Sequence, residues 1–568
     1  MSILRRILKN PETIPTKLTR FLKKFKSLEY SKDYPKEINK NTLIFNSIQD
    51  PEIIQEADKI LNKEYEIFNQ IYKIETIDWH KDYANNYIFP LKRFNLDKNG
   101  TDKKIPWELN RFQHLTTLAI AYHQTKEEKY FQEIELQIND WIAKNPFGKG
   151  INWSTPMECA VRAINLIQIY FLTEKKLDLL SLIYNHGTFI KDNLEWSPAK
   201  ENHYLTDILG LFFIGLFFNK QDWIDFSKAE LEKEIMNQVS EDGVDYEASI
   251  NYHRLVTEIF LLTLIIGKKN NIEFSTKYKD RVENMCEFIM YYTPDSGNAP
   301  SFGDTDNSRI LDIWNKNIND HRDILAVASI IFQRKDFKSK SKYHKRLSLI
   351  INEEEFLRLE AKKVPLKSKA FTDYYIIRDK KVFLMIHCGS IGRNNFGGHG
   401  HNDQLSFVFS YEDQDYIIDP GTYCYTSNYE LRHRFRSSKA HNCLIVNNEE
   451  QNKINQNTPF NMDLKFQSQC LHFDEKSFLG ILKYKDLQIT RKIIYNNNQI
   501  IIEDSTNQDA NLKLNFFINE SKEIKFTAEE PKKIQTKISK NYGHITDFQA
   551  TQIKEFGNTL RTIITIPK

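Results

Sequence analysis

The sequence predicts a multidomain α+β protein, helices first and antiparallel strands second, on three observations. The chain has 568 residues, too many for one compact core. From about residue 50 to 355, apolar residues recur at helical spacing. Beyond a polar, lysine-rich connector, AKKVPLKSKAF (361–371), the period becomes two, in β-branched and aromatic runs parted by Asn, Asp and Gly turns. The spacing divides the chain into a basic arm (1–45), a helical domain (46–362) and a strand domain (363–568).

In the helical part, WELNRFQHLTTLAIAYHQ (107–124) leads. MECAVRAINLIQIYFLT (157–173) follows, with Met157, Ala160, Val161, Ile164, Ile167 and Phe171 on one side. YLTDILGLFFIGLFF (204–218) and ASINYHRLVTEIFLLTLII (248–266) continue the pattern. Proline and glycine fall between these segments, as in NPFGKG (145–150) and TPDSGNAPSFGD (293–304). The strand runs are KVFLMIHCG (381–389), QLSFVFSYEDQDYIIDPG (404–421), NCLIVNN (442–448), LQITRKIIYNNNQIIIED (487–504) and NLKLNFFIN (511–519). DQD (413–415) and NNN (496–498) read as hairpin turns.

The net charge of +3 excludes a general nucleic-acid binder, which carries a concentrated basic face. The six cysteines form no CxxC pair and read as buried, reduced thiols rather than a disulfide framework. The basic start, MSILRRILKNPETIPTKLTRFLKKFK, lacks the apolar core and cleavage site of a secretory signal. No run is long and apolar enough to span a bilayer. These features point to the cytoplasm, with weak contact to the inner membrane face through the basic arm as a second expectation.

Three constellations carry chemistry. In GGHGHNDQLSF (397–407), His399 and His401 sit two apart among glycines, and Asp419 and His441 follow. Histidine with aspartate is a normal zinc ligand set; core histidines and a turn-forming Asp explain the same residues. ENHYLTD (201–207) puts Asn202 and His203 at a helix N-terminus, where backbone N–H groups favour anions; a simple cap explains Asn202 equally. DGVDYEASINYHRLVTE (242–258) puts Glu247, Tyr252 and His253 at the start of another apolar helix, where Tyr252 is a general acid or base or a structural tyrosine. Glu158 and Arg162 read as a helical ion pair, and SFGDTDNSR (301–309) as a sugar-contacting loop or a turn.

Taken in order, eight segments resemble the heparinase II/III family of polysaccharide lyases and the related alginate and oligoalginate lyases. They are WELNRFQHL, NWSTPMECAVRAINL, ENHYLTDILGL, DGVDYEASINYHRL, SFGDTDNSR, GGHGHNDQLSF, DYIIDPGTYCY and RSSKAHNCLIV, covering roughly 100–450. The resemblance implies an incomplete (α/α) toroid of helical hairpins followed by an antiparallel β-sandwich, with a cleft between them. It implies that Asn202 and His203 contact a uronate carboxylate, that Tyr252 is the general acid and in some members the base, and that His399 is the catalytic histidine. It implies zinc, in a structural role, on His401, Asp419 and His441. Glu158, Arg162, Glu247, His253, Asp304 and Arg393 are expected as further substrate contacts.

The implied reaction is β-elimination on an acidic polysaccharide, expected to be a bacterial surface or capsular glycan. A zinc-dependent glycan hydrolase and a noncatalytic glycan-binding or assembly protein are the competing readings. The sequence lacks HExxH and a general-base Glu beside the histidines, which weighs against the hydrolase. The glycan, endo or exo action, the choice of base and the oligomeric state are open at this level.

Overall fold

The computed structural model describes residues 30–92, 95–197, 200–392, 397–496, 499–519, 525–527 and 531–565. Four helical hairpins dominate the N-terminal half: α1 (Gln113–Thr125) with α2 (Glu128–Lys144), α3 (Pro156–Leu172) with α4 (Leu180–Asn193), α5 (Asn202–Phe217) with α6 (Gln221–Gln238), and α7 (Ile250–Lys269) with α8 (Thr276–Tyr292). Nearly every residue of α3, α5 and α7 is buried, as befits helices that are apolar all round. The partners α2, α6 and α8 bury a single stripe. The first helices pack side by side, α1 on α3, α3 on α5 and α5 on α7, so they form an inner row behind an outer one. Gly210 permits close approach of α5 to α3: a Cβ there would lie 2.4 Å from Ala160 Cβ.

This layering positions the chemistry. Pro156 opens α3, Ser249 caps α7 by accepting from Tyr252 N at 3.1 Å, and α5 begins at Asn202. The first turns of α3, α5 and α7 all border one cleft. By length and composition α7 could cross a membrane, but it lies inside the helical body.

The C-terminal half holds a five-stranded antiparallel sheet, β1 (Lys369–Phe371), β2 (Tyr374–Arg378), β3 (Val382–His387), β4 (Phe407–Tyr411) and β5 (Gln414–Ile417), in sequence order. An eight-stranded antiparallel sheet follows, in which Gln499–Phe516 pairs along much of its length with Thr546–Thr565. Leu384, Ile386 and Phe409 of the first sheet share one apolar core with Phe478, Ile493 and Leu514 of the second. Within it, Arg491 is held bidentately by Asp504 at 2.7 and 2.8 Å. His399 and His401 stand in the connection between β3 and β4, in its described part 397–406.

Two local features differ from the sequence reading. The stretch expected to be helical after residue 50 contains two short hairpins, Glu64–Ile67 with Gln70–Lys73 and Lys81–Asp82 with Tyr87–Ile88. Phe68 and Asn69 both take positive φ, 51° and 61°, which is the two-residue turn that matches strand twist. The hairpin expected at DQD turns one residue earlier, on Glu412 and Asp413. Of NNN, Asn497 and Asn498 lie outside the described residues.

Candidate active site

A cleft of about 430 Å³ opens between the helical and sheet regions. Asn202, His203 and Tyr252 line it from the helical side, and His399 and Tyr425 from the sheet side. The loop bearing His399 is pinned by three contacts. His399 O accepts from Asp304 N at 2.9 Å, and the buried Arg436 guanidinium bonds the carbonyls of Gly397 and Gly400. A Cβ on Gly400 would come within 2.3 Å of Ile391 O, so only glycine fits.

His399 and Tyr252 each rest on a buried carboxylate, Asp304 and Asp306. Asp304 accepts from His399 Nδ1 at 2.9 Å, His401 Nε2 at 2.8 Å and both terminal nitrogens of Arg432. Burial pushes its carboxyl up, but Arg432 and the two histidines hold it well below the ordinary range. Asp304 is therefore ionised, His399 Nδ1 carries the proton, and the lone pair falls on Nε2. The Tyr252 ring stacks on His399 with centroids 3.8 Å apart. Tyr252 Oη donates to Asp306 Oδ2 at 2.6 Å and lies 3.1 Å from Tyr425 Oη. Burial, then Asp306 and Asp304, raise the Tyr252 phenol well above its usual value, so it holds its proton at neutral pH. Asp306 is held low because Lys104, bonded to it, outweighs the effect of burial.

Asn202 and His203 sit on the first turn of α5. Glu247 accepts from Asn202 N at 2.8 Å and Nδ2 at 2.7 Å, fixing the amide. His203 Nδ1 meets Glu195 Oε2 at 3.0 Å. Burial opposes the charged ring, but Glu195 offsets it and the pKa is raised. Glu201, Glu247 and His399 present ligand-type atoms within 4.8 Å of one another. Both Glu247 oxygens already serve Asn202, so this group reads as the wall behind the amide.

Asp245, whose Oδ2 accepts from Glu247 N at 3.1 Å beside that wall, gives a pH dependence. Burial raises Asp245 from 3.8 to about 7. A carboxyl raised in the folded state contributes stability below its unfolded pKa and loses it as pH rises through the folded one. Stability should therefore decline between about pH 4 and 7, and Asp245→Asn should flatten that decline. Calorimetric melting across that window checks it; parallel curves for the two proteins would contradict it.

Several expected substrate contacts are placed elsewhere. Arg162 is fully buried and bonds His186 Nε2 at 2.9 Å and the carbonyls of Asn110 and Asn152. It does not pair with Glu158, which faces Arg111 bidentately at 2.8 Å. His253 is buried against Met285 O at 3.2 Å. Asp304 and Glu247 are buried behind His399 and Asn202 and act through them. Glu158 does line the cleft, and Arg393 lies outside the described residues. Sequence reasoning missed Lys104, Asp306, Glu195, Tyr425 and Arg432. Asp306 stands in the singled-out SFGDTDNSR and Tyr425 ends DYIIDPGTYCY; Lys104, Glu195 and Arg432 carry no local signal.

His401 and His441 offer a metal donor set, with ring centroids 5.2 Å apart. His401 Nε2 bonds Asp304, and His441 Nδ1 bonds Asp419 Oδ2 at 2.7 Å. The opposite nitrogens, His401 Nδ1 and His441 Nε2, are buried without a hydrogen-bond partner. A carboxylate behind each ring leaves its lone pair on the open nitrogen, the usual arrangement behind metal-binding histidines. Asp419 spends its other oxygen on Gly421 N at 3.0 Å. It thus stands behind His441, whereas the sequence reading made it a direct ligand. Asp403 Oδ2 is another buried oxygen without a hydrogen-bond partner.

Comparison with known proteins places this architecture. Residues 9–329 match the heparinase II/III N-terminus family and residues 362–560 the heparinase II/III-like C-terminal family. The chain belongs to the heparinase II/III family. It is 24% identical over 451 residues to a heparin-sulfate lyase of Pedobacter heparinus, covering 71% of this chain and 62% of that protein. A heparin-sulfate lyase of Bacteroides stercoris is 28% identical over 268 residues, covering 40% of this chain and 37% of that protein. The chain thus spans under two thirds of the length of these relatives. A crystal structure of heparinase III superposes with a TM-score of 0.69 at 16% identity, covering 97% of this chain and 88% of that one. A chondroitinase AC lyase superposes at 0.54 and 12% identity, covering 93% and 82%; both share the fold.

Proposed function

We propose that the chain is a polysaccharide lyase that cleaves a uronic-acid-containing glycan by β-elimination, and that its helical and sheet regions are the (α/α) toroid and β-sandwich of such enzymes. One observation carries the reading: Asn202, His203, Tyr252 and His399, distant in sequence, line one cleft, with the histidine lone pair and the tyrosine proton assigned to opposite tasks. The C5 proton of a uronate is weakly acidic while the neighbouring carboxylate keeps its full charge. Asn202, a protonated His203 and the N-terminal turn of α5 would take up charge as it moves into that carboxylate. His399 Nε2 then takes the C5 proton, and the C5–H electron pair becomes the C4–C5 double bond. The C4–O4 bond breaks, and O4 receives the Tyr252 proton. Proton return from His399 to the tyrosinate restores the starting state, and no water enters.

Lys103, Lys104 and Arg111, the lysine and arginine side chains that line the cleft among the described residues, bond Asp97, Asp306 and Glu158 respectively. Such a cleft suits a glycan with isolated carboxylates, as in bacterial surface polysaccharides, better than a densely sulfated one. A panel of uronate polymers followed by ultraviolet absorbance tests the reading. A lyase yields the absorbing unsaturated end; new reducing ends without absorbance mean hydrolysis, and binding without either means a noncatalytic protein.

Zinc, held by His401 and His441, would supply a rigid brace for the loop that presents His399. His401→Ala should lower both bound zinc and melting temperature, read by elemental analysis and calorimetry. A metal-replete variant of unchanged stability would refute the brace.

A further inference from the structure

We propose that Lys104 and Asp306 are positioning residues that hold the Tyr252 hydroxyl for proton delivery, with Lys104 supplying the charge that stabilises the tyrosinate left behind. The proposal rests on the lyase reading for its kinetic consequence. Asp306 Oδ2 is shared: it accepts from Tyr252 Oη at 2.6 Å and from Lys104 Nζ. Asp306 Oδ1 accepts from Ser308 N at 2.9 Å, and Lys104 Nζ also donates to Ser308 Oγ at 2.7 Å. The pair is buried, with the Lys104 side chain 8% and the Asp306 side chain 3% exposed. Both also border the cleft.

A buried ion pair gains little net stability over an apolar pair, so its place against one hydroxyl needs another account. Asp306 alone would oppose formation of a tyrosinate at 2.6 Å. Lys104 cancels that opposition while leaving Asp306 an acceptor that orients the O–H. When Tyr252 gives its proton to O4, one negative charge appears on the phenolic oxygen. It meets the Tyr425 hydroxyl at 3.1 Å and the field of Lys104. Lys104 thus acts on the step that breaks the C4–O4 bond and not on substrate capture.

The test compares wild type, Lys104→Met, Asp306→Asn and the double variant on a cleavable uronate polymer. Lys104→Met should lose roughly 10²-fold or more in kcat with little change in KM, and Lys104→Arg should recover part of it. In the Asp306→Asn background, Lys104→Met should cost much less, since the two act as a unit. A uronoside with dinitrophenolate as the C4 leaving group needs no proton, so the Lys104→Met defect should shrink on it. A raised KM with intact kcat, or an equal defect on the activated substrate, would overturn the proposal. Independently of turnover, the ring Cζ resonance of Tyr252, assigned by its absence in Tyr252→Phe, should move in folded Lys104→Met. An unmoved resonance also overturns the proposal, even if wild type gives no unsaturated product and the lyase reading itself fails.

Discussion

Tyr252→Phe should fold normally and lose about 10²–10⁴-fold in kcat. The phenyl ring keeps the stack on His399 at 3.8 Å, so the cleft wall stays in place. Only the hydroxyl is lost, and with it the bonds to Asp306 and Tyr425. Asp306 retains Lys104 and Ser308 N, so the stability cost is that of one hydrogen bond, about 1 kcal/mol. KM should hardly change, because on the proposed reading Asn202 and His203 would still engage the carboxylate. Steady-state absorbance rates with a parallel thermal melt check this; wild-type turnover in a folded variant would remove Tyr252 from its role.

Asp304→Asn should be severe in two ways at once. Asp304 receives N–H groups from His399, His401 and Arg432, and its side chain is fully buried. An amide has one acceptor oxygen; with His401 on that oxygen, its nitrogen turns donors toward His399 Nδ1 and an Arg432 nitrogen, which are themselves donors there. His399 would then favour the opposite tautomer, with its proton on Nε2 where the base needs a lone pair. Loss of a carboxylate behind a catalytic histidine costs up to about 10⁴-fold in serine proteases, and a fall of about 10²–10⁴-fold in kcat is expected here. Arg432 would also be left without its charge partner, at about 3–5 kcal/mol of stability. Kinetics, melting and zinc content together check this; near-wild-type values would show that His399 needs no orienting anion.

Much of the frame was legible because it rests on periodicity. Apolar residues on every side of 204–218 mark a helix enclosed by protein, and α5 is that helix. The switch to period two near 365 marks the first sheet, which begins at Lys369. The hairpin at 64–73 was hidden because neither Phe68 nor Asn69 is glycine, although both adopt positive φ. At the site, residues in compact motifs come together: Asn202, Tyr252 and His399 line one cleft, with His401 behind it on Asp304. Partners supplied by distant segments were not legible. Lys104 and Asp306 are 202 positions apart, and Asp304 and Arg432 are 128 apart; one sequence gives no measure of such proximity. Motif membership also misassigned roles, since Arg162 and His253 sit in matching segments yet face the core.

The most direct test is to weigh the new chain ends made when the protein cleaves a uronate polymer. Elimination predicts that one fragment of each pair carries an unsaturated non-reducing end, lighter by the mass of a water molecule. Full-mass fragments on both sides would mean that water has been added across the bond, and the cleft would then work as a hydrolase.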